Sequence, residues 1–292
     1  MQVTTVRRAG LVLAVATALT GPAACTSPDA SDRPGRDDHA VRGSSLAALR
    51  SAERATERAG SARVESTTTM GSLMSMTADG TLGWSDGVTG TLSITYTGGT
   101  IADTMRRLGS TSMEARYLPD AYYARMGEKF AEQAGGKRWI RYAYDDLEAL
   151  TGGSGAHLGD QMRTGTPNQS VKLLLASEDV RKVGEETVRG RPATHWSGTV
   201  AAADVTDAGL KKQLTAAGVT TETVDIWIDK RNLLVKKVEK ARMTTGLMTQ
   251  TAHYGDYGVR VRAQRPPVSD TGDFEDLMRK RAGTSRGHRE YG

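Results

Sequence analysis

The 292-residue chain has one cysteine, Cys25. No intramolecular disulfide can form, so a buried core must hold the fold even in an oxidising compartment. Phenylalanine is nearly missing too: Phe130 and Phe274 stand against eleven methionines. No apolar run approaches the roughly 20 residues that a membrane-spanning helix needs. The motifs of common chemistry are also absent. His39, His157, His195, His253 and His288 contain no HExxH and no closely spaced ligand pair. The stretch Gly152-Gly153-Ser154-Gly155-Ala156 breaks the spacing of a nucleophile elbow. Gly135-Gly136-Lys137-Arg138 lacks both the earlier glycine and the Ser/Thr of a phosphate loop. Asp145-Asp146 and Glu185-Glu186 are adjacent pairs, which splay apart on a helix or strand instead of converging as an acid/base couple. These gaps point away from an enzyme, a metal site and any cofactor.

What is present begins at the N-terminus. Arg7 and Arg8 precede an uncharged apolar run over residues 11–19, and Ala23-Ala24-Cys25 follows with small residues at a cleavage point. Residues 1–24 therefore read as a removable export signal. A cysteine at the cut is the pattern of a bacterial lipoprotein, whose thiol is acylated, although Pro22 stands where such a box usually has leucine. The alternative is an ordinary secreted protein with a spare thiol. Acylation of Cys25 would place the protein on the extracytoplasmic face of the cell membrane. Residues 25–43, rich in Pro, Asp, Ser and Arg, read as a flexible tether.

The sequence pI near 9.3 suggests nucleic acid until the charges are located. Of the formal net charge of +5, Arg7 and Arg8 carry two units. The five basic residues from Arg279 to the C-terminus, less Glu290, carry four, which leaves the body one unit negative. A nucleic-acid reader needs a basic face on its folded domain, so none is expected here. Residues 282–292 read as a basic, disordered tail.

Between these ends, residues 44–281 read as one domain. A first helix is expected over residues 44–59, capped by Ser44 or Ser45 and ended by Gly60. From Ser61 the period shortens to two. In residues 91–96, Leu92, Ile94 and Tyr96 face one way and Thr91, Ser93 and Thr95 the other. Similar runs are expected at 61–69, 74–84, 112–118, 121–126, 137–142, 179–188, 193–200, 221–229, 233–244 and 247–261. In the 221–229 run Val224, Ile226 and Ile228 share a face. Helices are expected at 145–150, 168–177, 204–217 and 274–280, with a loop over 152–167. Pro266-Pro267 is expected to end ladder pairing. Most connections are too short for crossovers, so the strands should be antiparallel. The fold class is α+β: one large curved antiparallel sheet, a half-barrel, with helices on its concave face.

Several segments carry a resemblance. They include Val183-Gly184-Glu185-Glu186-Thr187-Val188-Arg189-Gly190, Thr194-His195-Trp196, Val224-Asp225-Ile226-Trp227-Ile228-Asp229 and Tyr254-Gly255-Asp256-Tyr257-Gly258. With Leu233-Leu234-Val235-Lys236-Lys237, Ala121-Tyr122-Tyr123-Ala124-Arg125 and Lys137-Arg138-Trp139-Ile140, they make residues 44–277 resemble the LppX/LprA/LprF/LprG group of actinobacterial lipoproteins and, in fold, the LolA-like carriers. The resemblance implies a half-barrel whose cavity takes lipid acyl chains.

The expected function is that of a membrane-anchored, monomeric lipoprotein that binds a lipid or acyl chain, as an envelope carrier or chaperone. The alternative is a non-catalytic module that contacts a membrane-protein partner. The residues expected to line the cavity are Met74, Met76, Leu82, Trp84, Leu92, Ile94, Tyr96 and Ile226. Flexible thioethers suit ligands of variable shape, though they also fill irregular cores. Trp139, Trp196 and Trp227 read as packing anchors, and Tyr122 and Tyr123 must point to opposite faces.

Overall fold

The computed structural model describes residues 36–146, 166–243 and 246–287, with side chains from 43 to 280. The signal, Cys25, most of the 152–167 loop and the last five residues lie outside the described residues.

Helix α1 (Arg36–Ala59) starts earlier than Ser44, so the second half of the expected tether is helical. Gly60 ends it with φ +69°. Three strands follow: β1 (Ser61–Met70), β2 (Met74–Gly83) and β3 (Thr89–Gly98). Helix α2 (Gly99–Arg107), which the sequence pattern did not suggest, precedes β4 (Ser112–Tyr117) and β5 (Ala121–Arg125). Helix α3 (Glu128–Gln133), equally unanticipated, leads to β6 (Trp139–Ala143). Both helices are short; α2 buries only Ala102 and Met105, and α3 only Ala131. The second half contains α4 (Asn168–Leu175), β7 (Arg181–Val188), β8 (Arg191–Ala201), α5 (Ala208–Ala216), β9 (Val219–Asp229), β10 (Leu234–Met243) and β11 (Gly246–Gly255). A 3-10 turn (Val268–Asp270), β12 (Thr271–Asp273) and α6 (Phe274–Gly287) finish the chain.

The twelve strands among the described residues form one open sheet in the order β12-β6-β5-β4-β3-β2-β1-β11-β10-β9-β8-β7. Two expectations change. β11 does not close the sheet but lies at its centre, paired with β1. The chain also rejoins the ladder after Pro266-Pro267, because β12 pairs with β6 in parallel. The strap between β11 and β12 crosses strand after strand: the Ser61 hydroxyl donates to Val259 O, Thr91 to Arg262 O and Arg116 to Gln264 O. That crossing carries the C-terminus to the far edge. α6 runs to Gly287, where a disordered tail was expected from 282.

The two faces differ in chemistry. On the inner face of the second half, Leu49 and Ala52 of α1 and Val171, Leu173 and Leu174 of α4 pack on Val64, Trp196, Val224, Ile226 and Leu234. Gly198 makes this approach possible, since a Cβ there would lie 2.7 Å from Leu174 Cδ1. The first half of the same face carries a second cluster built on Ala78, Leu92, Ile94, Ala115, Tyr122 and Ala124. Curvature in this half has a local cause. Gly80 and Gly90, on adjacent strands, adopt φ +153° and +151°, conformations closed to other L-residues.

Candidate functional site

Strand register places the expected wall residues together, with two exceptions. Met74, Met76 and Leu82 of β2 share the inner face with Leu92, Ile94 and Tyr96 of β3, through the pairs Ala78–Ile94, Gly80–Leu92 and Leu82–Gly90. Trp84 stands apart: it is buried beyond the end of β2, and its indole N–H donates to Thr56 O and Glu57 O at 3.2 Å. It locks α1 to the sheet. Ile226 is fully buried beneath α1 and α4 and belongs to the filled core.

Across the first half a row of mostly small residues, Gly80–Leu92–Ala115–Ala124–Ile140, runs perpendicular to the strands. The next row is bulky: Leu82–Gly90–Tyr117–Tyr122–Tyr142. The rings of Tyr117 and Tyr122 meet edge-on at 5.2 Å, and Tyr142 stacks toward Phe274 of α6 at 4.7 Å. Burial holds these phenols neutral: it pushes Tyr142 up to about 12 and raises Tyr117 and Tyr122 as well. On the other flank, methionines collect on the inner face. Met70, Met74, Met76, Met113, Met126, Met243 and Met248 are each half-buried rather than sealed. The result is a low floor between a tyrosine ridge and a pliable thioether rim.

The centre of this face holds a feature that the sequence reading missed. Lys237 Nζ donates to Glu239 Oε2 at 2.7 Å, and both side chains are nearly closed to solvent. Glu222 is buried beside them, and Gln250 donates to Thr68 Oγ1 at 3.2 Å. Burial, reinforced by repulsion from Glu239, raises the Glu222 carboxyl to about 7. Burial opposes charge on Lys237, but Glu239, Tyr254 and Glu222 together outweigh it and keep the amine protonated. A signal was available: extending the Val224/Ile226/Ile228 alternation by two residues puts Glu222 on the apolar face.

Other clusters are satisfied internally. On the outer face His195 lies between Glu186 and Asp225, at 2.9 Å from each, and stacks on Trp227 at 4.1 Å. Asp146, Asp273 and Glu275 bring carboxylates within 4.8 Å of one another. Arg141 reaches into that group, 2.9 Å from Asp273 and 4.0 Å from Asp146, and Arg279 lies 3.6 Å from Glu275, so two guanidiniums offset much of its charge. Two clefts, of about 240 and 180 Å³, also open on the outer face, flanking Glu65, Arg189 and His253. Among the described residues no helix is long and apolar enough to cross a membrane.

Comparison with known proteins now bears on this geometry. A Streptomyces coelicolor protein named as a candidate lipoprotein, SCO4650, is 56% identical over 293 residues, covering 94% of this chain and 97% of its own length. The chain belongs to this Streptomyces lipoprotein family. An uncharacterized 31.2 kDa Streptomyces griseus protein from the rplA-rplJ intergenic region is 50% identical over 83% of each chain. The crystal structure of LprF from Mycobacterium bovis superposes with a TM-score of 0.50 at 13% identity, over 77% of this chain and 97% of that one. The fold is therefore of the LprF type that the sequence resemblance implied. No family model matches the sequence.

Proposed function

We propose that this lipoprotein binds a lipid or acyl chain on the inner face of its half-barrel and serves as a carrier or chaperone in the cell envelope. Its attachment to the extracytoplasmic face of the membrane would be through acylated Cys25. The observation that carries the reading is the row of small side chains left low between the tyrosine ridge and the methionine rim. Leu92, Ala115, Ala124 and Ile140 are closed to solvent in this structure, so a bound chain would reach that floor by displacing the half-buried, flexible methionines of the rim. At roughly 0.8 kcal/mol per buried methylene, ten carbons laid along it would contribute about 8 kcal/mol before the cost of ordering the chain.

Organic extracts of the purified protein, examined by mass spectrometry, are expected to contain a co-purifying amphiphile. Met74→Asp/Met76→Asp is expected to fold and to retain at least tenfold less of it, because each carboxylate desolvates against the chain. A protein that carries no lipid and takes up no fluorescent fatty acid would defeat the proposal. Separately, Cys25→Ser is expected to move the protein from the membrane fraction to the soluble fraction, since a single thiol carries the anchor. Fractionation of expressing cells checks this, and unchanged membrane retention would remove the anchoring role from Cys25.

A further inference from the structure

The smaller outer-face cleft has no part in lipid binding on the inner face. It is lined by Arg63, Glu65, Arg189, Arg191, His253 and Tyr254, among others, and encloses about 180 Å³. Strand register brings its cations together. Arg63 of β1 pairs directly with Gly255 of β11. Arg191 Nη2 lies 4.0 Å from the point a Cβ on Gly255 would occupy, so its guanidinium covers the bare backbone beside Arg63. One row along, Glu65 pairs with His253. Arg189, in the β7–β8 turn at φ +50°, folds across to donate to Glu65 Oε2 at 2.9 Å. Lys236 pairs with His253 from the other side and rests 3.8 Å over the Trp227 ring.

Glu65 is thus consumed by Arg189, while Arg63 and Arg191 make no ion pair among the described residues. Asp256 is the other carboxylate on the wall and is not ion-paired either. The sign of the local field is visible on His253. Burial, then Arg189 and Lys236, depress its pKa, and the opposing influence of Glu65 is the smallest of the four. Val188 and Val235 form the apolar end of the cleft.

We infer that this cleft is an anion site for a phosphate ester, held by the guanidinium forks of Arg63 and Arg191 with its alkyl substituent against Val188 and Val235. Arginine forks match phosphate oxygens two at a time, which a point-charge lysine cannot do. The same chemistry could come from a soluble phosphate or from a phospholipid headgroup in the membrane beside which the protein is tethered.

The test uses the full chain carrying Cys25→Ser, so that no acyl anchor contributes. Calorimetric titration with inorganic phosphate is expected to show saturable binding that weakens with added salt. Co-sedimentation with phosphatidylglycerol and phosphatidylcholine vesicles separates the sources. Binding to the anionic vesicles assigns the site to a membrane headgroup, and binding of phosphate without vesicles assigns it to a soluble ligand. Arg63→Gln/Arg191→Gln is expected to weaken either by about tenfold or more at an unchanged melting temperature. Arg106→Gln, on α2, is expected to change nothing. Arg63→Lys/Arg191→Lys keeps the charge, loses the forks and should fall between the two. Absence of both binding modes in the parent protein, or equal binding by the Gln double variant, overturns the inference.

Discussion

Gly80→Ala is expected to lower the melting temperature by about 4–24 °C, and Gly90→Ala by a similar amount. A Cβ on Gly80 would lie 2.1 Å from Thr91 O, and one on Gly90 2.2 Å from Thr81 O. Both contacts are with backbone of the paired strand, so no side chain can rotate away. Both residues also hold φ near +150°, where a side chain clashes with its own backbone. Strain of that kind costs about 1–3 kcal/mol, and forced overpacking adds about 1–3 kcal/mol, which together give the expected shift. Gly184→Ala is the internal control. It also lies within a strand, but it has no atom within 4 Å of its Cβ position and no positive φ. Its effect should stay within about 0.5 kcal/mol. Thermal unfolding followed by circular dichroism compares the three, and equal melting temperatures would show that the sheet can bend without these glycines.

The two glycines also mark what the sequence could and could not disclose. Strands were legible because alternation survives in them: Leu92, Ile94 and Tyr96 do share the inner face, and the whole 61–98 meander pairs as expected. Gly80 and Gly90, by contrast, look like weak points in otherwise good strands. Their need for positive φ arises from the approach of a neighbouring strand, which no local pattern encodes. Trp84 and Ile226 were misplaced for a related reason. An apolar residue on the correct face can meet a helix or an open hollow, and only α1 and α4 decide which. Parallel pairing of β12 was hidden because it depends on a strap of long-range hydrogen bonds over residues 259–265, not on periodicity. α2 and α3 are brief: two buried residues on α2, Ala102 and Met105, and one on α3, Ala131, make an apolar face too short to stand out from the surrounding strands.

The polar group at the centre of the inner face was the least legible feature, and it links stability to the environment of an exported protein. Glu222, held near 7 by burial and by Glu239, binds a proton in the folded state that the unfolded chain has already lost above the ordinary carboxylate range. Its contribution therefore turns unfavourable as pH rises from about 4.5 through 7, reaching roughly 3 kcal/mol once both states are ionised. Glu222→Gln is expected to be more stable than the parent by up to that amount at pH 8 and to show little advantage at pH 4.5. The difference between the two proteins cancels the acid-side losses from Glu65, Asp120, Asp179 and Asp270, whose carboxyls are all held low in the fold. Glu239→Gln should behave in the opposite sense. It removes the direct partner of a buried lysine, which costs about 3–5 kcal/mol when nothing replaces it. Here Glu222 can ionise to rescue Lys237, so the loss should be greatest at low pH and shrink as pH rises. Urea unfolding of the parent, both single variants and the double variant at pH 5 and pH 8 reads all of this. A Glu222→Gln advantage that is the same at both pH values would mean that the carboxyl titrates normally and that the three groups do not act as one buried cluster.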